Sequence, residues 1–156
     1  MSHPLRPGVR LGVDVGKARV GIARTDPAGT LAVPVETAPR DRAVARIAEL
    51  VSEYDALEVV VGRPLGLSGH HTASTDDAEW FAGQLAGAVS CSVRLVDERL
   101  STVEASTALR QGGHSSKSQR EIIDQAAAVI ILQHSLESEA RSGVAPGENV
   151  SQPEGE

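Results

Sequence analysis

The segment LGVDVGKARVGIARTD, residues 11–26, contains two runs of alternating apolar residues on either side of a glycine-containing turn. The alternation that leads up to Asp14 predicts a first strand, and residues 19–24 predict its antiparallel partner. The first strand therefore ends in a single carboxylate. That carboxylate either shapes the turn ahead of Gly16 or serves as a ligand, and the rest of the chain has to decide between these two roles.

Beyond this hairpin, the apolar patterns predict three more strands and four helices. The strands are expected at residues 31–37, 58–62 and 92–98, and the helices begin near Asp41, Ser74, Ser101 and Ser118. Pro34 in the third strand indicates an outer strand or a bulge. The order βββαβαβαα is that of a three-strand antiparallel meander followed by crossover units. We therefore expect an α/β fold, a five-stranded mixed sheet with helices on both faces.

Length and local composition predict one folded domain between two tails. The chain has 156 residues, which is too few for two full domains. Residues 1–8 and 143–156 are rich in Pro, Gly, Ser or Glu and show no apolar periodicity. We expect a flexible N-terminal tail, a domain spanning residues 9–142 and a disordered acidic C-terminal tail.

Composition restricts the class of protein only weakly. Aromatic residues make up 2% of the chain, which argues against a nucleic-acid site built on extensive base stacking. The net charge of -6 does not by itself indicate a nucleic-acid-binding protein, although much of the acidity lies in the last twenty residues. Cys91 is the only cysteine, and no leader segment or membrane-length apolar run is present. We expect a cytoplasmic protein without membrane association.

Three carboxylates are expected to converge at one edge of the sheet. Asp14 ends the first strand, Glu98 ends the fifth, and Asp124 shares a face of the last helix with small apolar residues. Crossover connections make the two strands parallel, so both acids emerge at their carboxyl ends, where such sheets bind ligands. Asp97 should point to the opposite face from Glu98 because side chains alternate along a strand.

Clustered carboxylates repel one another unless cations compensate their charge. Oxygen ligands without a nearby His or Cys set favour Mg²⁺ or Mn²⁺, and two such ions about 4 Å apart activate water against a phosphodiester. The alternative for each acid is structural. Asp97 and Glu98 pair with Arg94 or Arg99 in that interpretation, and Asp14 forms the turn.

Four segments together resemble one known family. They are DVGKARVG at residues 14–21, VVGRP at 60–64, DERLSTVEA at 97–105 and DQAAAVIILQ at 124–133. In this order they are similar to the motifs of the YqgF family of bacterial pre-16S rRNA nucleases, also described as Holliday-junction-resolvase-like, and the match covers about residues 11–136. An Asp-x-Gly turn also opens sugar kinases and actin-like ATPases. Those proteins need a second lobe and a second such turn, which this sequence lacks.

The resemblance implies an RNase H-like fold and a metal-dependent hydrolase acting on ester bonds. It implies that Asp14, Glu98 and Asp124 are the catalytic metal ligands. It further implies 5′-end maturation of pre-16S rRNA during ribosome biogenesis. The alternatives are a resolvase-like nuclease acting on branched DNA and a non-catalytic module that binds RNA or ribosomal precursor particles. Whether cleavage is endonucleolytic or exonucleolytic stays open, and so does the presence of a homodimer.

Five basic residues lie near the predicted acidic edge or in segments that lead to it. They are Arg19, Arg63, Arg99, Lys117 and Arg120. As a group they would supply a positive rim for a phosphate backbone in a chain that is acidic overall. Charge balance of neighbouring acids is the alternative for each of them.

Overall fold

The structure of the protein is a computed structural model that describes residues 3–65, 68–98 and 116–150, with residues 116–121 described by their backbone alone. These parts of the chain form six strands and three helices. The strands are β1 (Arg10–Val15), β2 (Arg19–Thr25), β3 (Ala32–Pro39), β4 (Glu58–Arg63), β5 (Ser92–Asp97) and β6 (Glu148–Asn149). The helices are α1 (Arg40–Tyr54), α2 (Ala73–Ala88) and α3 (Ser116–Ser142). The helix predicted after Ser101 lies outside the described residues.

The strands form one mixed sheet in the order β3-β2-β1-β4-β5-β6. β2 is antiparallel to β1 and β3, β4 is parallel to β1 and β5, and β6 is antiparallel to β5. The predicted meander followed by crossover units is confirmed, with one strand more than expected. β1, β4 and β5 therefore finish at the same end of the sheet, which we call the site end. The end where they begin is the far end.

The outer strand β3 carries the irregularity that its proline predicted. β3 contains Pro34 and Pro39, and it pairs only with β2 among the described strands. The register between β2 and β3 shifts at Ile22 and Ala23. Proline has no N–H to donate to a neighbouring strand. Its place on an outer, bulged strand follows from this missing donor.

One face of the sheet packs on α1 and α2 through an aliphatic core. Its residues alternate with those of the other face along every strand, as the sequence pattern predicts. The buried side chains include Leu11, Val13, Val20, Ile22, Val59, Val61, Val93 and Leu95 from the sheet, with Ile47, Leu50, Phe81 and Leu85 from the helices. No helix in the described ranges is long and apolar enough to cross a membrane.

The other face of the sheet is covered by α3, which lies directly on the strand backbone. A Cβ added at Gly12 would lie 2.8 Å from the carbonyl oxygen of Ala128, and one added at Gly21 would collide with the backbone of Asp124. Ala127 and Ala128 of the helix are fully buried at this contact. Glycine in the strands and alanine in the helix therefore set the close approach, as the small apolar helix face predicts.

A buried ion cluster fastens α3 to the far end of the sheet. Arg10, Glu58 and Glu139 are 1%, 1% and 3% exposed, and the Arg10 Nη2 atom lies 3.0 Å from Glu139 Oε2. Arg6 adds a second guanidinium, 2.7 Å from Glu139 Oε1 and 3.1 Å from Glu58 Oε1. Two arginines, one buried and one partly exposed, balance the two buried glutamates, which makes burial of their charges tolerable.

Residues 3–8, expected to belong to a flexible tail, make specific contacts at this cluster. The N–H of His3 donates to the carbonyl of Ala140 at 2.6 Å, and Arg6 reaches both buried glutamates. The segment carries no apolar periodicity because its contacts are polar and involve single residues. Sequence patterns do not reveal polar contacts between single residues.

The C-terminal segment also differs from the expected tail, as far as it is described. β6 pairs with Arg94 and Leu95 of β5. The N–H of Val150 donates to the carbonyl of Val93 at 2.8 Å, and its side chain packs against the core of the α1/α2 face. A strand of two residues is too short to produce an alternating pattern, which explains why the sequence did not predict it.

Replacing Arg10 with Met tests the far-end cluster. The change leaves two buried glutamates with one partly exposed cation, so we expect the free energy of unfolding to fall by about 3–5 kcal/mol. Arg46→Met is the matched control, because Arg46 pairs with Glu36 and Glu49 at the surface. It should cost no more than about 1 kcal/mol. Denaturant titration measures both, and equal losses would contradict a dominant role for the buried cluster.

Candidate functional site

Asp14 and Glu98 meet at the site end on the face covered by α3. Asp14 lies one residue before the end of β1, and Glu98 follows β5 directly and is 8% exposed. Their carboxyl groups share a hydrogen bond. β4 runs between these two strands, and a Cβ on its Gly62 would lie 2.8 Å from the Glu98 carboxyl carbon. Glycine at this position leaves the space in which the two acids meet.

The two acids hold a proton between them at neutral pH. Burial raises the pKa of Asp14 to about 6, and the neighbouring charge of Asp124 adds to the effect. Burial and the charge of Asp14 raise the pKa of Glu98 to about 9. Protonated Glu98 thus donates to ionised Asp14. Glu98 Oε2 is buried and has no hydrogen-bond partner among the described residues. Among the described residues, no cation is paired with either carboxyl group.

Asp124 is paired with an arginine. Its Oδ2 atom accepts a hydrogen bond from Arg19 Nε at 2.7 Å, and the side chains of Asp124 and Arg19 are 18% and 36% exposed. The close approach of α3 to Gly21 places the helix backbone beside the β1–β2 hairpin. Asp124 is near enough to raise the pKa of Asp14 through its charge. All three predicted acids are therefore brought to one end of the sheet.

The three acids form a spread cluster rather than a single tight one. Within the described ranges, mutual ligand distances of 4.8 Å or less among three such residues occur only for His71, Asp76 and Glu79. Asp14, Glu98 and Asp124 are thus too far apart to surround one ion in this arrangement.

The His71 group is an exposed cluster at the start of α2. His71 and Asp76 are exposed, and their nearest ligand atoms are 4.0 Å apart. Glu79 is already paired with Arg63, whose Nε atom is 3.2 Å away. His70 contacts Ser68 at 2.6 Å and takes no part in the group. The group therefore contains His71 and not both histidines.

Two of the five predicted basic-rim residues have described side chains, and both are ion-paired. Arg19 contacts Asp124, and Arg63 contacts Glu79 as well as Glu148 Oε1 at 2.5 Å. Arg99 lies outside the described residues, as do the side chains of Lys117 and Arg120. Asp97 is exposed on the face opposite Glu98, as strand alternation predicts.

Arg40 is a residue of this region that sequence reasoning missed. Its Nη1 atom donates to the carbonyl of Gly16 at 2.9 Å, and its backbone N–H donates to the carbonyl of Ala18 at 3.0 Å. It also makes two hydrogen bonds to Asp77. Arg40 thereby ties the turn after Asp14 to α1 and α2. An arginine at the start of a helix gives no periodic signal that would have revealed this role.

Known proteins match this chain over nearly its whole length. A family model described as RuvX, Holliday junction resolvase, matches residues 8–138. A protein of Clavibacter sepedonicus named "Putative pre-16S rRNA nuclease" is 60% identical over 147 residues, which cover 92% of this chain and 91% of that protein. A protein of the same name from Streptomyces avermitilis is 53% identical over 150 residues, covering 94% and 96%.

Solved structures show the same fold. Thermus thermophilus RuvC in complex with a Holliday junction substrate superposes with a TM-score of 0.56 at 18% identity. The alignment covers 91% of this chain and 99% of that one. This likeness confirms the RNase H-like fold expected from the sequence.

The paired acids make stability depend on pH in a defined direction. Both folded-state pKa values are raised, so the stabilisation is complete below about pH 4 and is lost as pH rises through about 6 and then about 9. We expect the free energy of unfolding, measured in EDTA by denaturant titration, to fall from pH 5 to pH 9. Asp14→Asn and Glu98→Gln should flatten this dependence.

Asp77→Asn is the control of opposite sign. Arg40 lowers the pKa of Asp77, so the stabilisation from Asp77 is present at neutral pH and is lost only on acidification. This variant should keep the parent's slope between pH 5 and pH 9. An unchanged slope in both Asp14→Asn and Glu98→Gln would contradict the shared-proton description.

Proposed function

Because the chain belongs to the RuvX family, we propose that it is a metal-dependent nuclease that hydrolyses phosphodiester bonds in precursor 16S rRNA, with its reaction centred on Asp14, Glu98 and Asp124. The buried Asp14–Glu98 pair carries this proposal. Two acids that share a proton, with one buried oxygen unpartnered, are unfavourable for folding alone. They are favourable as a binding site for cations.

The donor set fits hard divalent cations. Carboxylate oxygens from the ends of two parallel strands and from one helix are the ligands that Mg²⁺ and Mn²⁺ prefer, and no His or Cys joins them in the described part of the site. Bound there, two such ions would activate a water and neutralise charge on the scissile phosphate and the leaving oxygen. Asp14 and Glu98 must both ionise to act as ligands, so the proton they share is released when the cation binds.

Arg19 holds a separate role in this proposal. In the structure its guanidinium neutralises Asp124, and at 36% exposure it also faces solvent. A cation that takes over Asp124 frees the guanidinium for the phosphate backbone of the substrate. Arginine suits this exchange because its planar fork binds carboxylate and phosphate in the same geometry.

Amide substitutions of the three acids test the reaction centre. We expect Asp14→Asn, Glu98→Gln and Asp124→Asn to abolish cleavage of precursor 16S rRNA in Mg²⁺ or Mn²⁺. In EDTA, the first two should be as stable as the parent or more stable, because Asp14→Asn removes the charge of the pair and Glu98→Gln keeps a neutral side chain that can still donate to Asp14. Asp124→Asn should lose no more than about 1 kcal/mol, since its ion pair is partly exposed. Mn²⁺ should raise the melting temperature of the parent more than that of each variant.

Asp97→Asn is the matched control, because Asp97 neighbours Glu98 on the opposite face and should leave cleavage intact. Four-way DNA junctions are tested in parallel, since the family model is described as a Holliday junction resolvase. Cleavage of junctions alone would replace the rRNA assignment with a DNA-resolving one. RNA binding without cleavage in any metal would identify a non-catalytic module.

Arg19→Gln tests the exchange between metal and substrate. Removing a cation 2.7 Å from Asp124 should tighten Mn²⁺ binding several-fold, because the metal no longer competes with a guanidinium. The same change should lower kcat/KM for RNA. Arg24→Gln, whose guanidinium lies over the Tyr54 ring, is the control and should change neither quantity. Weaker Mn²⁺ binding by Arg19→Gln would show instead that Arg19 only positions Asp124.

A further inference from the structure

Trp80 is an exposed aromatic ring near the site end. Its side chain is 58% exposed on α2, whereas the neighbouring Phe81 is buried in the core. The chain contains one Trp, one Tyr and one Phe, and Tyr54 is partly buried beneath Arg24. Trp80 is therefore the one ring of the three that is available to a partner.

The ring is backed by a guanidinium that also holds the catalytic hairpin. Arg40 Cζ lies 5.9 Å from the centroid of the Trp80 ring and 5.2 Å from that of Phe81. The same guanidinium donates to Gly16, two residues after Asp14. These links place Trp80 within about 20 Å of Asp14, a distance that a short single strand covers.

The charges around the ring suit a polyanion. Asp77 is neutralised by its two hydrogen bonds to Arg40. Lys17, at the tip of the hairpin, is exposed and close enough to lower the pKa of Asp77 through its charge. Lys17 makes no ion pair within 4 Å among the described residues. The ring thus has one shared cation, Arg40, in contact with it, and a second cation, Lys17, lies near Asp77 on the same helix as the ring. The exposed carboxylate of Asp76, one helical turn before Trp80, lies 4.0 Å from His71.

A second copy of the chain fits this surface poorly. The other large apolar side chains exposed in the described ranges, Leu31 and Val144, lie at the far end of the sheet. One exposed indole supplies at most about 250 Å² of apolar area. A stable dimer needs about 800 Å² from each partner.

We propose that Trp80, supported by Arg40 and Lys17, is a stacking platform for one unpaired base of the nucleic-acid substrate, a few nucleotides from the phosphate that is cleaved. This inference rests on the proposed nuclease function and adds a substrate feature to it, a single-stranded segment beside the cut. One ring accounts for a single stacked base. It does not require the extensive stacking that the composition excludes.

Because Trp80 is the only tryptophan, its fluorescence reports on this surface alone. The parent protein with Mg²⁺ is mixed rapidly with an unstructured single-stranded RNA, and emission is read before turnover. We expect quenched emission and reduced access of acrylamide to the ring. In anisotropy titrations with labelled RNA, Trp80→Ala should weaken binding about 5- to 100-fold, whereas Trp80→Phe should retain most of the affinity.

Leu31→Ala is the matched control, because it removes an equally exposed apolar side chain at the far end, and it should not change RNA affinity. RNA binding that leaves Trp80 emission and acrylamide access unchanged, or no RNA binding at all, would overturn the platform. A change of acrylamide access with protein concentration, without RNA, would overturn it in favour of self-association. Quenching by RNA that is never cleaved would leave the platform standing and refute the nuclease proposal.

Discussion

The close contact between α3 and the glycines of the sheet is the constraint on which the site depends. Gly12 and Gly21 let the helix backbone approach β1 and β2, and the buried Ala127 and Ala128 lie on the helix in this region. A single methyl group at Gly21 would push the helix away just where Asp124 begins to face the hairpin. The position of the Asp124 carboxylate is thus fixed by glycine and alanine residues, which carry no polar side chain.

The charges at the two ends of this contact are arranged in opposite ways. At the far end, Arg6 and Arg10 balance Glu58 and Glu139, and all of these side chains except the partly exposed Arg6 are almost fully buried. At the site end, three carboxylates lie close together; among the described residues one of them is paired with Arg19, and the other two share a proton. Balanced charge fastens the helix, and unbalanced charge leaves a place for cations. Ion pairs at the far end stabilise the fold, and this stability offsets the unfavourable cluster of carboxylates at the site end.

Sequence reasoning succeeded where geometry follows from local pattern. Alternation along the fifth strand placed Asp97 on the face opposite Glu98, and the parallel crossovers placed Asp14 and Glu98 at the same end. The small face of the last helix predicted its close packing. Reasoning failed where a contact joins single residues far apart. Arg6 and Glu139 are 133 positions apart, and nothing near either residue indicates the other. The role of Arg40 was missed for the same reason. β6 was missed because a strand of two residues is too short to show a period.

The outer strands of the sheet have a consequence for how copies of this chain can meet. On one side, β3 carries two prolines and a register shift against β2, so its open hydrogen-bonding row is interrupted. On the other side, two exposed residues of β6 cap β5, and Arg94 donates to the carbonyls of Pro146 and Gly147. Neither margin offers the long, flat ladder that strand addition requires. Among the described residues, both margins therefore disfavour the joining of two copies through their sheets.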